Sequence, residues 1–307
     1  MLIAVRFALY LDLMLVFGLP LFLLYTFCRA GGRASGSIIS SATLPILSLT
    51  GATLSALGLL LLAAAMSDEP VFQLDHETLS ALLGTAIGTA GKIRIAVLLV
   101  VLPLGLALKS RPHVRWATQA SLGAVALGSL AWTGHGAADE GPGGLAHLTA
   151  DIVHLLAAGV WIGALAGLLI VLWRARAGSS DQQDRTVLAH RALVGFGTVG
   201  TFSVGLIILT GLVNSWFLVG VGNVSALVSS AYGRLLILKL LIFAGMLGLA
   251  TVNRFRLTPA IETSLGQAMA ATSLRSIKVS VTVETSLGLV VLALVAWLGT
   301  LAPPISV

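Results

Sequence analysis

Residues 147–172 read HLTADIVHLLAAGVWIGALAGLLIVL, a sequence that begins with polar residues and continues as an unbroken apolar run. In a helix, with 3.6 residues per turn, His147, Asp151 and His154 lie near one another on one face. The apolar run is long enough to enter a membrane, which a helix crosses in about 20 residues. Ionisable residues in such a helix are costly and usually face the interior of a helix bundle, where they have a function. We therefore expect this helix to carry the functional site.

The composition of the whole chain indicates a polytopic membrane protein. Of its 307 residues, 57% are hydrophobic and only 10% are charged, whereas soluble domains carry about 25% charged residues. The net charge of +6 does not indicate nucleic-acid binding, because Lys and Arg stand at the ends of apolar segments, where they act as topological anchors. Cys28 is the only cysteine, which excludes an intrachain disulfide framework and a cysteine metal cluster.

The predicted fold is an all-α bundle of eight transmembrane helices that forms one integral membrane domain, residues 1–307. A faint repeat of Thr-Gly and Gly-Lys/Arg pairs, at segments 2–3 and 6–7, is compatible with a parallel duplication of four helices. The general abundance of Gly and Thr in membrane helices explains it equally well. The predicted segments 1 to 8 are approximately 3–28, 43–66, 92–109, 115–134, 146–172, 192–219, 231–252 and 277–301.

The charges of the connections predict an orientation. Lys and Arg accumulate after segments 1, 3, 5 and 7, so these connections are predicted to be cytoplasmic and both termini to lie outside. The long acidic connection 66–91 is expected to lie in water. Arg6 before an apolar run resembles the start of a signal peptide, but Asp12 interrupts that run and the run is too long for such a peptide. Segment 1 is therefore predicted to remain as a helix.

The polar face of segment 5 has the chemistry of a transition-metal site. Neutral imidazole binds copper, zinc, nickel or iron, and Asp151 can either ligate the ion or orient an imidazole by accepting its other N–H. His147 and His154 are separated by about 10 Å of helix rise, so they form either successive stations along a path or parts of one site that other helices complete. His135, joined to segment 5 by a short glycine-rich connection, is the natural additional ligand. A purely structural role is the alternative, and the cost of such groups in lipid argues against it.

Other ionisable residues inside the predicted spans also need partners. Lys239 in segment 7 matches the depth of Asp151 or of Asp12 in segment 1. Glu284 in segment 8 lies closer to basic residues of the cytoplasmic side, which are Arg254, Lys278 and His190. Structural ion pairs explain these residues as well as a transport role does.

Two weaker signals come from uncharged side chains. Thr210 and Asn214 in segment 6 can form hydrogen bonds between helices. Met66, at the outer end of segment 2, is a weak candidate ligand because thioether sulfur favours Cu(I). Most methionines in apolar helices only fill space.

Segments 4–8 contain several short motifs in order: His135, His147-x-x-x-Asp151-x-x-His154 with Trp161, Thr210-Gly211-x-x-Asn214, Tyr232-Gly233-Arg234 with Lys239, Asn253-Arg254-Phe255, and Glu284 with Pro303-Pro304. Together these motifs resemble the copper resistance D family of bacterial inner-membrane proteins. The resemblance implies an eight-helix protein that transports copper, as Cu(I) or Cu(II), from the periplasm toward the cytoplasm and contributes to copper homeostasis or resistance. It also implies a separate small periplasmic partner of the copper resistance C type. On this interpretation the transport path or the support of the ligands involves Trp161, Asn214, Lys239, Glu284 and Asp12.

Two other function classes stay open. A haem-bearing electron carrier also uses histidines on spanning helices, but it needs pairs at matching depth, and only His135 and His154 are candidates for one pair. A copper sensor or assembly factor would bind the ion without moving it. An enzyme is not expected, because the sequence contains no nucleotide-binding loop, nucleophile elbow or cofactor fingerprint.

Overall fold

Helices make up nearly all of the computed structural model, which describes residues 1–27, 40–134, 141–174, 182–260 and 270–306. None of these residues lies in a β-strand. The α-helices are α1 (Leu2–Phe27), α2 (Thr43–Ser67), α3 (His76–Gly84), α4 (Ala86–Ala107), α5 (Pro112–Gly128), α6 (Gly141–Arg174), α7 (Gln182–Leu218), α8 (Ala226–Ser229), α9 (Ala231–Val252) and α10 (Ala270–Leu298).

Seven of the described helical segments are long and apolar enough to cross a membrane. They correspond to predicted segments 1, 2, 3, 5, 6, 7 and 8, so the all-α membrane bundle is confirmed. Predicted segment 4, residues 115–134, corresponds to the 17-residue helix α5 and a following 3-10 helix, Ser129–Thr133. Because α5 is shorter than the roughly 20 residues that a crossing needs, the eighth span stays a prediction.

The predicted water-exposed connection 66–91 contains the short helix α3. Asp75 caps its N-terminus, since the Asp75 carboxylate accepts a hydrogen bond from the N–H of Thr78 at 2.7 Å. Hydrogen bonding by Thr78 holds the pKa of Asp75 below its ordinary value. Residues 86–91 already belong to α4, so the third apolar segment begins one to two turns earlier than predicted.

The centre of the bundle is formed by α1 and α6, the two candidate spans with the largest buried share. They approach closely at Gly18 and Gly163, where a Cβ on either residue would overlap the backbone of the other helix. Small residues at such crossings allow membrane helices to pack at short distance. On its other sides α6 packs against α5, α7 and α10. Its ionisable residues His147, Asp151 and His154 contact α7, so they face the bundle interior, as predicted for segment 5.

A short π-helix, Asn253–Leu257, continues α9. Pro259 follows it, and proline lacks the N–H that an α-helix would donate to the carbonyl of residue 255. Thr258 Oγ1 donates instead to the carbonyl of Asn253 at 2.8 Å. Turns of π-helix are rare and are frequent at functional sites. Here the π-helix carries Asn253 to the interface with α10, where its side chain contacts Glu284.

Candidate metal site and transport path

A cavity of about 160 Å³ lies among α1, α6, α7, α9 and α10. We call it the His154 cavity. It contains four of the residues predicted as ligands or path residues, and these come from three different helices: Asp151 and His154 from α6, Asn214 from α7 and Lys239 from α9. Its other polar side chains were not predicted as site residues: Arg6, Tyr10, Ser215 and Tyr232.

The imidazole of His154 is oriented by α7. Its Nδ1 lies 2.9 Å from Thr210 Oγ1. The Thr210 hydroxyl donates its single hydrogen to the backbone carbonyl of Leu206 at 2.6 Å, so toward His154 it acts as the acceptor. This pairing favours the tautomer with the proton on Nδ1, in which Nε2 keeps the lone pair that a metal ion needs.

The carboxylate of Asp151 is oriented by the same helix. Asn214 Nδ2 donates to Asp151 Oδ1 at 2.6 Å. The side-chain oxygen of Asn214 has no hydrogen-bond partner among the described residues, which leaves it as a further acceptor. The predicted interhelical hydrogen bonds of Thr210 and Asn214 are thus confirmed, and both of them hold predicted ligands.

Lys239 is positioned by the start of α9. Ser230 caps this helix by accepting a hydrogen bond from the N–H of Gly233 at 2.9 Å, which fixes where the first turn begins. Tyr232 and Lys239, two turns apart, then line the same cavity. Lys239 interacts electrostatically with Asp151, which is one of the two partners predicted for it.

The other predicted pairing of Lys239, with Asp12, is wrong. Asp12 is 5% exposed, and neither of its carboxylate oxygens has a hydrogen-bond partner in the described part of the chain. It packs instead against α2, where a Cβ on Gly51 would overlap Asp12 Oδ2. Asp12 does not line the His154 cavity.

His147 lies apart from the other two members of the predicted face. It is 1% exposed, and its ring stacks on Phe217 with the ring centres 4.7 Å apart. It is not among the residues that line the His154 cavity. All three residues contact α7, as helical spacing on one face of α6 predicts, but His147, one turn before Asp151, meets Phe217 there and not the cavity.

The two remaining predicted ligands are His135 and Met66. His135 lies outside the described residues, whereas its neighbour Gly134 lines the cavity, and a Cβ on Gly134 would lie 3.6 Å from Asp151 Oδ2. Met66 is 63% exposed at the end of α2 and does not line the His154 cavity. Among the described residues, no three His, Cys, Asp or Glu side chains are close enough to hold a metal ion together.

A second, larger cavity of about 640 Å³ lies farther along α6, which we call the Glu284 cavity. Glu284 is 1% exposed. Trp161 Nε1 donates to its Oε1 at 3.0 Å, and Asn253 Nδ2 donates to its Oε2 at 2.9 Å. Trp161 and Glu284 were predicted as path residues, whereas Asn253 was only part of a motif without an assigned role.

The predicted basic partners of Glu284 do not supply its described hydrogen bonds. Arg254 donates instead to the carbonyl of Gly197 at 2.6 Å and to Thr201 Oγ1 of α7. Lys278 Nζ lies 3.6 Å from the ring centre of Trp173. The prediction of a basic partner is therefore wrong for these two residues, because Arg254 contacts α7 and Lys278 contacts α6.

These features define a multi-pass membrane protein with a polar, histidine-containing cavity inside its helix bundle. Residues 1–145 match the family description "Copper resistance protein D-like, N-terminal domain", and residues 190–298 match "Copper resistance protein D". The chain is 42% identical to the Copper resistance protein D of Pseudomonas syringae pv. tomato, over 98% of this chain and 96% of that protein. The chain therefore belongs to the copper resistance protein D family.

Two other relatives are more distant. The Inner membrane protein YebZ of Escherichia coli is 29% identical over 57% of this chain and 55% of that protein. The Copper transport protein CutJ of Bacillus subtilis is 32% identical over 40% of this chain and 21% of that protein. No solved structure matches the chain. The candidate spans and the YebZ relative support a multi-pass protein of the inner membrane, and the names of these relatives are not those of enzymes.

Proposed function

We propose that the protein transports copper ions across the bacterial inner membrane from the periplasm toward the cytoplasm, and so contributes to copper homeostasis or resistance. The observation that carries this proposal is that His154 and Asp151 line one cavity, each held in place by a side chain of α7. Imidazole nitrogen together with carboxylate oxygen suits Cu(II). Relatives named for copper resistance and copper transport agree with this cargo.

The positions of the helix ends support the direction. The His154 cavity lies near the first turns of α1 and α9 and the last turns of α7 and α10. The distribution of Lys and Arg assigns all of these ends to the periplasmic side, with both chain termini there. The His154 cavity is then the entrance of the path. The inside-negative membrane potential favours cation entry by about 2.3 kcal/mol per charge per 100 mV.

The entrance needs ligands beyond Asp151 and His154. We propose His135 as the third, because its neighbour Gly134 lines the cavity beside Asp151. His147 and Met66 then serve at most as contacts that the ion makes before it enters the His154 cavity. A separate periplasmic copper-binding protein of the copper resistance C type is proposed to deliver the ion at this end.

Copper uptake into proteoliposomes tests the proposal. Purified wild type, His154→Ala and a matched control, His113→Ala, are reconstituted, and uptake is measured with Cu(II) and with Cu(I) under reductant. His113 precedes Trp116 on α5 and lines neither cavity, so its variant should transport normally. His154→Ala should lose at least about tenfold in uptake at limiting copper, because a first ligand matters at least as much as its supporting groups. Equal uptake by both variants would remove the site assignment.

The same preparations separate transport from the alternatives. A Soret band would identify a haem carrier, although a cavity of about 160 Å³ is small beside the roughly 300–1,000 Å³ of usual ligand pockets. A copper sensor or assembly factor would bind copper without accumulating it inside the vesicles. Binding without uptake in the wild-type protein would therefore refute transport while leaving the metal site intact.

A further inference from the structure

The Glu284 cavity contains an oxygen-rich wall that the proposed entrance does not use. Glu284 and Asn253 both line it and are 1% and 8% exposed. The Glu284 carboxylate accepts one hydrogen bond at each oxygen, which leaves further lone pairs on both. The side-chain oxygen of Asn253 is buried and has no hydrogen-bond partner among the described residues.

A buried acceptor without a donor is costly, and an unsatisfied buried group calls for an explanation such as a bound ion or water. Here the acceptor belongs to an amide that also holds a carboxylate, and both groups face one cavity. Carboxylate and amide oxygens are ligands for cations. The nearby Arg254 does not neutralise Glu284, because its described hydrogen bonds run to Gly197 and Thr201 of α7.

The two cavities follow one another along α6. His154 and Trp161 are two turns apart, about 10 Å of rise. Trp161 lines the Glu284 cavity, donates to Glu284, and has the rings of Phe196 and Phe243 at 6.3 and 6.1 Å between centres. Trp161 therefore connects α6, two turns beyond His154, to the carboxylate of the second cavity.

We propose that Glu284 and Asn253 form a second cation station, through which copper leaves toward the cytoplasm. This inference rests on the proposed function, because it takes copper as the cargo. The station offers oxygen ligands, which suit Mg²⁺, Ca²⁺ and Mn²⁺ better than copper, whereas the His154 cavity offers imidazole. Copper is therefore held more weakly at Glu284 than at His154. Conduction needs such a weaker site, since an ion must bind well enough to enter and weakly enough to leave.

Titration of purified protein in lipid nanodiscs with Cu(II), followed by electron paramagnetic resonance, tests the station. Wild type should bind two ions, a tight one with hyperfine coupling to imidazole nitrogen and a weak one without it. Glu284→Gln should lose the weak ion and keep the tight one, whereas His154→Ala should do the reverse. Asn253→Asp adds a negative charge at the same place and should tighten the weak site about tenfold or more.

The outcomes separate the two proposals. A single ion in the wild type with nitrogen coupling, or an unchanged weak site in Glu284→Gln, would overturn the station and leave the entrance standing. A weak oxygen-ligated ion without a tight nitrogen-ligated one would overturn the entrance instead. Should Glu284→Gln prove unstable by its thermal transition, Asn253→Asp decides, because a purely structural role for Asn253 predicts no gain in copper affinity.

Discussion

Replacing Thr210 with valine tests the proposed entrance at the residue that orients its imidazole. Valine has nearly the shape of threonine but removes the hydroxyl that accepts from His154 Nδ1 at 2.9 Å. Without this acceptor the proton is no longer fixed on Nδ1, and the ring loses both its preferred tautomer and its orientation. All direct ligands remain in place, so the variant isolates the supporting hydrogen bond.

The expected loss follows from the role of such supporting groups. Removing the partner of a metal-binding histidine typically costs about 10–100-fold in metal affinity, which corresponds to about 1.4–2.7 kcal/mol. The Thr210 hydroxyl also bonds to the Leu206 carbonyl, but this local bond within α7 is not needed for the helix itself. We therefore expect copper affinity to fall while thermal stability changes little.

Copper titration of Thr210→Val in nanodiscs, under a competing chelator, measures this loss. Thr53→Val is the matched control, because Thr53 also donates to a carbonyl one turn earlier, that of Leu49 at 3.0 Å, and lines neither cavity. The control should bind copper as the wild type does. An unchanged affinity in Thr210→Val would refute the assignment of Nε2 of His154 as a ligand held by α7.

Two further predictions concern the scaffold. Gly163→Ala should lower the thermal transition temperature through an overpacking cost of about 1–3 kcal/mol, because the added Cβ would overlap Gly18. Gly205→Ala is the control and should not lower it, because a Cβ on Gly205 meets open space. Equal transition temperatures for the two variants would contradict the close α1–α6 contact. Hydrogen bonding with Thr78 lowers the pKa of Asp75 from its ordinary value of 3.8. The ionised carboxylate should therefore protect the Thr78 amide from hydrogen exchange above pH 3.8, and this protection should be lost as pH falls through the lowered pKa. Asp75→Ala should remove the protection at neutral pH. An amide that exchanges equally fast in both proteins would contradict the cap.

Much of the fold could be predicted because apolar runs of spanning length leave few alternatives. The ends were less predictable: α6 begins at Gly141 and α7 at Gln182, earlier than the predicted 146 and 192. Polar residues can continue a helix beyond the membrane, and hydropathy does not register them. The predicted segment 4 was too long as an α-helix, because its last residues, 129–133, include the apolar Leu130, Ala131 and Trp132 but form a 3-10 helix.

The candidate site was predictable where it depends on one helix. The spacing of Asp151 and His154 places both on the wall of one cavity, as expected from 3.6 residues per turn. Contacts between helices were harder to predict, because the spacing of residues along one helix does not specify which neighbouring helix a side chain meets. The separation of His147 from the cavity and the neutral partners of Glu284 both depend on such contacts. Asn253 was missed as a site residue for the same reason, because its role comes from the contact with Glu284 on another helix.

The order of the two cavities along α6 bears on how the proposed transport could work without a nucleotide-binding loop. Copper that is scarce outside requires a tight entrance, and imidazole with carboxylate provides it. A tight site alone would trap the ion, so release needs either a change of shape or a weaker second site. Glu284, which contacts α6 through Trp161 two turns beyond His154, and Asn253 supply the proposed weaker site. The membrane potential adds about 2.3 kcal/mol per charge per 100 mV in the same direction. Reversing the two affinities, with His154→Ala and Asn253→Asp in one protein, should therefore slow net uptake more than His154→Ala alone.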